Sequence, residues 1–418
     1  MASKSSVLVV GGGAIGLCAA YYLSRNGVAV TVLDKGEPGH GCSLHNAGFV
    51  CPSHFVPLAA PGIFSQALRW MLNPKSPLYI QPSLDFDLIS WAWKFSRACN
   101  ERVMWRAIPV LRDLLIDSLN LFDELARLDG QSFEWTKKGL LLLHYTEKGK
   151  RSCEREAKLA DNVGVEARIL DRNQIQELQP HLEFRARGGV HFPGDAHLVP
   201  SALTESLANR LEGEGIQVLH DCEVAGFDTS GNKIAHVKTN RGDLQADEFV
   251  LATGAWTPLL LRRLGVKIPL QAGKGYSITI KDPAVKPTIP LILSERRVAV
   301  TPFSDSLRFA GTMEFSGMSL SISKQRVEAI LDAVPLYFQN IEWPRASAAE
   351  VWSGLRPVTP DGLPYIGRLR RFPNLVVATG HAMLGIALAA VTGKLVSEIV
   401  GQRQPSHPLT LLDPDRYN

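Results

Sequence analysis

One short segment narrows the fold of this chain more than any other. Val7-Leu8-Val9-Val10 runs into Gly11-x-Gly13-x-x-Gly16, and a helical pattern continues to Arg25. The apolar run reads as a buried parallel strand, and apolar residues at helical spacing over Ala14 to Arg25 read as a helix stopped by Asn26-Gly27. Val28 to Leu33 reads as a second buried strand closed by Asp34, completing one βαβ unit. In that setting Gly11 makes the tight turn, Gly13 lets backbone approach a pyrophosphate, and Gly16 lets helix pack on strand. The helix N-terminus adds amides and partial positive charge. Asp34, 18 residues beyond Gly16, is placed to accept hydrogen bonds from a ribose diol. The segment predicts a dinucleotide site, and it does not distinguish FAD from NAD.

Signals of the same kind recur far along the chain. Phe249 to Ala252 reads as a buried strand running into Thr253-Gly254-Ala255. Leu375 to Ala378 reads as another, followed by Thr379-Gly380-His381 and a helix over Leu384 to Val400. Helices are expected at Leu88–Asn100, Ala107–Leu128 and Pro200–Gly213. Strands are expected at Gly139–His144, Tyr276–Ile280, Arg297–Thr301 and Leu307–Gly311, and Pro52 to Gln81 looks irregular. Nucleotide-type signals near residues 11, 254 and 380 predict a discontinuous α/β nucleotide domain (1–85, 196–265 and 346–418). A mixed-sheet α+β substrate domain (86–195 and 266–345) is inserted into it.

Composition removes other classes. At 45% apolar and 21% charged residues the chain is neither disordered nor fibrous, and 45 basic against 41 acidic side chains leave a net charge of +4, too small and scattered for a nucleic-acid footprint. No apolar run reaches a membrane span, and a strand begins after six residues where a signal peptide would carry its apolar region. Six cysteines without a CxxC motif fit a reduced, cytosolic compartment. There is no HExxH, GxSxG or P-loop, and no histidine spacing predicts a metal site.

The remaining motifs are more specific. Gly41-Cys42-Ser43-Leu44-His45-Asn46-Ala47-Gly48, Ala59-Ala60-Pro61-Gly62 and Lys274-Gly275-Tyr276-Ser277 stand beside Gly354-Leu355-Arg356-Pro357-x-Thr359-Pro360-Asp361-Gly362 and the late Thr379-Gly380-His381. In these the chain resembles the D-amino-acid oxidase superfamily of FAD enzymes, and within it the bacterial D-amino-acid and D-hydroxyproline dehydrogenases, over essentially its whole length. The resemblance implies a glutathione-reductase-like FAD-binding fold with an inserted substrate domain. It also implies an FAD-dependent oxidation of D-amino acids at the Cα–N bond, with quinone, dye or oxygen as electron acceptor. A nicotinamide enzyme would account for residues 11–34 and leave the Asn46, Gly254 and Arg356 segments unexplained.

Residue by residue, the resemblance assigns FAD contacts to Gly11, Gly13, Ala14, Ile15, Gly16, Asp34, Lys35, Ser43, His45, Asn46, Ala47, Gly48, Val224, Thr253, Gly254, Gly380, His381, Met383, Leu384 and Gly385. Arg356 falls on the substrate-carboxylate arginine, a role that suits a planar guanidinium able to form two parallel hydrogen bonds. Lys274 is expected near the cofactor and Tyr276 as a donor to the substrate carboxylate. His45 falls where dimethylglycine and sarcosine dehydrogenases carry a flavin-linked histidine; with Leu44 and Asn46 as its neighbours it is read as a hydrogen-bonding residue beside the flavin. Met383 replaces the residue at which glycine oxidases place a second arginine, which predicts an apolar wall and a preference for cyclic substrates such as D-proline or D-hydroxyproline. Other readings are a glycine/sarcosine-type oxidase using oxygen and a non-catalytic flavoprotein subunit. Trp70, Trp91, Trp93 and Trp105 gather in one stretch, expected as core or as a peripheral patch on the inner face of the cell membrane.

Overall fold

The computed structural model describes residues 5–71, 76–128, 132–341 and 349–418. Among these, six strands form one sheet in the order Tyr365–Arg368, Leu375–Thr379, Glu248–Leu251, Ser6–Val10, Ala29–Leu33, Gln217–Leu219. All pairs are parallel except that of Tyr365–Arg368 with Leu375–Thr379. The unbroken apolar run of the first strand follows from burial on both faces. Val7 and Val9 pack against helices that include Ala14–Arg25 and Ala389–Val400, while Leu8 and Val10 pack toward Val224, Ile234 and Leu261 on the other side. The two helices approach so closely that a Cβ on Gly393 would lie 2.5 Å from the Cys18 backbone.

The second sheet is mixed and larger, running Glu350–Val358, Gln271–Lys281, Ser306–Phe315, Val298–Pro302, Leu291–Leu293, Leu140–His144, Gly188–Phe192, Arg168–Asp171, with Leu78–Ile80 beside Ser306–Phe315. Its far face buries Tyr276, Ile278, Ile280, Phe309 and Tyr337 in a separate core.

Strands of the two sheets alternate along the chain. Leu78–Ile80 and Glu350–Val358 belong to the larger sheet, outside the boundaries expected at 85 and 346; Glu350–Val358 pairs with Gln271–Lys281 along its whole length. The stretch expected to be irregular holds the helix Ile63–Met71. Phe86–Ala98 and Glu101–Leu125 begin earlier than their apolar patterns, because the Asp85 and Asn100 side chains cap the amides of Asp87 and Val103. The last helix begins at Ala389 and not at Leu384. Ala382, at φ 48°, starts a 3₁₀ turn over Ala382–Leu384, and further turns lead into the helix.

Candidate active site

The dinucleotide end is built from backbone. Gly11 sits at φ +107°, where a Cβ would lie 2.6 Å from the Ala252 carbonyl oxygen, and a Cβ on Gly16 would lie 1.8 Å from the Gly11 oxygen. Only glycine permits this turn and this helix–strand contact. The carboxylate of Asp34 accepts from the Gly12 amide at 2.7 Å and the Gly36 amide at 3.0 Å, which fixes it at the end of its strand. In the first helical turn the Ala14 amide donates to Ser43 Oγ at 3.1 Å; the amides of Ile15 and Gly16 have no intrahelical acceptor, and that turn carries no acid. Gly13 leaves open space bounded by Ser43. Backbone bonds of Asp34 with Leu219 and Cys222 bring the strand beginning at Val224 to the same end of the sheet. Lys35 lies 4.0 Å over the Trp256 ring. Gly254, at φ +53°, is tied through its carbonyl to the Thr379 hydroxyl at 2.9 Å, and the Thr253 hydroxyl meets that of Thr257 at 3.0 Å.

The Gly41–Gly48 loop crosses from this end to the larger sheet. Asn46 Oδ1 accepts from the Gly48 amide at 2.9 Å, and Gly48, at φ +78°, would place a Cβ 2.1 Å from the Leu198 carbonyl oxygen. The sheet then pins the loop: Arg308 Nη1 donates to the Asn46 carbonyl at 2.8 Å and Thr301 Oγ1 to the Ala47 carbonyl at 2.7 Å. His45 Nε2 lies 3.4 Å from Glu350, and its ring 5.1 Å from the Trp352 ring. Burial lowers the His45 pKa, helped by the Arg308 charge and opposed by Glu350.

The face that meets this loop carries Gly275 and Ser277 paired with Gly354 and Trp352, followed by Arg356 opposite Gly273. Arg356 Nη1 donates to the Thr312 carbonyl at 2.6 Å. Its guanidinium lies over Gly275, where a Cβ would come within 2.1 Å of Nη1. Burial lowers its pKa to about 10, so it remains a cation at neutral pH. Asp361 does not neutralise it: that carboxylate is held by Arg416 through two contacts of 2.8 Å.

Three side chains do not stand where the sequence places them: Lys274, Tyr276 and His381. Lys274 and Tyr276 alternate with Gly275 and point through the opposite face, because successive side chains of a strand do so. Lys274 Nζ lies 3.1 Å from Glu314 and donates to the Ser321 carbonyl at 3.0 Å; Tyr276 donates to Glu314 at 2.7 Å, and Arg326 Nε lies 3.0 Å from the same carboxylate. They form a buried structural network and do not reach the carboxylate position at Arg356. The His381 imidazole turns to Thr392 Oγ1 at 3.0 Å in the last helix, and burial lowers its pKa to about 3, so it is a neutral packing group. Gly380, at φ +83°, packs on Thr359, Met383 is half exposed, Leu384 packs toward the helical layer, and Gly385 has open space around it. Arg308, Thr301, Thr312 and Trp352 were not singled out by motif. Strand alternation would place Trp352 with Arg356, and nothing in the sequence marks the other three.

These residues fit an FAD. The amide cradle at Gly13 suits a diphosphate, Asp34 a ribose, and the small residues of the crossing loop a flat ring. His45 Nδ1 and Ser277 Oγ are buried and have no hydrogen-bond partner among the described residues, as polar groups awaiting a ligand would be.

The FAD dependent oxidoreductase family matches residues 6–399. The chain is 34% identical over 413 residues to a D-amino acid dehydrogenase of Granulibacter bethesdensis, covering 96% of each, and 33% identical to one of Rhizorhabdus wittichii, covering 98% of this chain and 100% of the relative. Among solved structures it is similar to glycine oxidase from Geobacillus kaustophilus, with a TM-score of 0.77, 23% identity and 98% of each chain covered. Family, relatives and fold agree with the geometry: the chain belongs to the FAD dependent oxidoreductase family and is an FAD-dependent amino-acid dehydrogenase or oxidase.

Proposed function

We propose that the protein oxidises D-amino acids, favours cyclic ones such as D-proline and D-hydroxyproline, and passes the electrons to an acceptor at a membrane. The observation that carries the reading is Arg356, a half-buried guanidinium with one nitrogen anchored on a backbone carbonyl and no carboxylate bound to it among the described residues. A carboxylate is its natural complement. Bound FAD would accept the hydride released from Cα, and the resulting imino acid hydrolyses in water to a 2-oxo acid. The chain's own residues supply position. Arg356 holds the carboxylate, the pinned loop from His45 to Gly48 fixes the opposing surface, and the neighbouring strands keep water out. No side chain is assigned as general base; the amine loses its proton to solvent before the substrate is enclosed.

The cyclic preference rests on Met383. It stands half exposed beside Ala382, which packs against Met313 and Val358 two residues beyond Arg356. An adaptable apolar side chain there suits a ring and gives glycine no second charge.

The membrane reading rests on a surface stripe. Leu84 (91% exposed), Phe86 (85%), Ile89 and Trp93 stand out together near the start of the Phe86–Ala98 helix, with Lys94 and Arg97 beside the Trp93 ring at 5.8 and 5.3 Å. Apolar side chains flanked by cations suit an anionic lipid surface. Trp91 does not take part: it is buried, donating to the Val358 carbonyl at 2.9 Å. No helix among the described residues is long and apolar enough to cross a membrane.

The test is anaerobic bleaching of the flavin by D-proline, D-hydroxyproline, D-alanine, glycine and sarcosine, followed by reoxidation with air or a quinone. The reading expects the cyclic imino acids to be fastest and quinone to reoxidise faster than air. Rapid bleaching by glycine or sarcosine with rapid reoxidation by air would establish the amine-oxidase alternative. No bleaching by any amino acid would leave a non-catalytic subunit.

A further inference from the structure

We propose that a bulge at Thr312–Met313, together with Gly275 opposite it, is the device that positions Arg356. This rests on the reading of Arg356 as the carboxylate clamp. In the pairing of Gln271–Lys281 with Ser306–Phe315, Lys274 faces Glu314 and Tyr276 faces Gly311. Two residues, Thr312 and Met313, therefore stand against Gly275 alone. An extra residue of this kind breaks the ladder locally and re-aims its backbone groups. Thr312 sits at φ +65°, a conformation seldom taken by a β-branched residue, and its carbonyl receives Arg356 Nη1 at 2.6 Å. The Lys274–Glu314 ion pair, buried on the opposite face, closes the ladder immediately beyond the bulge.

Gly275 completes the seat from the other strand. A Cβ there would lie 2.1 to 2.2 Å from Nη1, Cζ and Nη2 of Arg356. Its φ is not in the left-handed region, so glycine is needed here for space and not for backbone conformation. The guanidinium is thus laid on bare backbone and tethered at Nη1, while Nε and Nη2 make no other hydrogen bond among the described residues. A long flexible side chain becomes a fixed two-pronged donor before substrate arrives. Gly275 and Thr312 act through Arg356 and are positioning residues.

The test uses the FAD-loaded, oxidised protein titrated with propionate, which carries the carboxylate and no oxidisable amine. Binding is followed by the change in the visible flavin spectrum, and KM and kcat for D-proline are measured beside it. Arg356→Ala abolishes the propionate response. Gly275→Ala retains FAD but binds propionate about tenfold more weakly or worse, with KM rising more than kcat falls. Thr312→Gly keeps the carbonyl and relieves the strained φ, so a purely structural role predicts unchanged binding and equal or greater stability. The positioning role predicts binding weaker by about threefold or more without loss of melting temperature. Propionate affinity within twofold of the unaltered protein in Gly275→Ala, or in Thr312→Gly where Gly275→Ala fails to fold, overturns the inference and leaves the clamp intact. Undiminished propionate binding by Arg356→Ala, or no response in the unaltered protein, overturns the clamp and the inference together.

Discussion

The network behind the sheet makes the sharpest prediction, because it separates a structural lysine from a catalytic one. Lys274, Glu314 and Arg326 side chains are 2%, 9% and 8% exposed, and the Glu314 carboxylate stands 3.1 and 3.0 Å from the two cations. Burial alone would raise the Glu314 pKa, but the Tyr276 and Lys274 hydrogen bonds and the Lys274 charge outweigh it and hold the group below its usual range. At an effective dielectric near 20, each contact carries an attraction of roughly 5 kcal/mol, largely cancelled by desolvation while the set is intact. Glu314→Gln removes the anion and leaves two buried cations side by side, a loss of about 3–5 kcal/mol. The assay is urea unfolding of the FAD-loaded protein. The double variant Lys274→Met/Glu314→Gln recovers part of that loss, because one cation leaves with the anion. Lys274→Met alone costs about 1–3 kcal/mol yet bleaches anaerobically with D-proline within about twofold of the unaltered rate, since its amine lies across the sheet from Arg356. A Glu314→Gln loss below about 1 kcal/mol would refute the energetic argument. A stable Lys274→Met protein bleached tenfold more slowly would refute the placement.

Four further outcomes are expected. Asp195 is buried, and burial, partly offset by the bonds from Ser53, raises its carboxyl from 3.8 to about 7. The folded protein therefore keeps a proton that the unfolded chain has lost, stability falls as pH rises from about 4 to about 7, and Asp195→Asn flattens that fall by up to about 4 kcal/mol; unchanged pH-dependence would refute the assignment. Gly11→Ala forces a Cβ to within 2.6 Å of the Ala252 carbonyl oxygen and is expected to purify with little FAD per chain, so a full flavin complement would contradict the cradle. Acid precipitation should leave the colour in the supernatant, with His45→Ala also retaining flavin; a coloured pellet lost in that variant would show a covalent bond through His45. Phe86→Ser/Trp93→Ser should lower cosedimentation with anionic vesicles several-fold while bleaching is unchanged, and equal sedimentation would remove the membrane reading.

The dinucleotide half was legible in the sequence because its constraints are local. Gly11, Gly13, Gly16 and Asp34 act within one strand–turn–helix–strand unit, so their spacing specifies the local conformation and points to a dinucleotide without distinguishing FAD from NAD. Arg356 carries no signal of its own in the sequence: resemblance alone points to it, and the segment around it does not read as the strand Glu350–Val358 that holds it. Glycine-ended runs near 254 and 380 marked Glu248–Leu251 and Leu375–Thr379, which the fold brings into the sheet of Ser6–Val10. Tertiary structure alone decided which way the side chains face. Lys274 and Tyr276 flank Gly275 in sequence, yet a strand sends neighbours to opposite sides, and only the packing of Tyr276 with Val327 and Ile330 shows which side is core. His381 was likewise captured by Thr392, eleven residues ahead and one helix away. Arg308, Thr301 and Thr312 bear no motif, because their task is to bring a cation, a hydroxyl or a carbonyl to segments that the chain reaches only after crossing between two sheets. Such contacts arise from the closing of the fold, and the order of residues along the chain does not encode them locally.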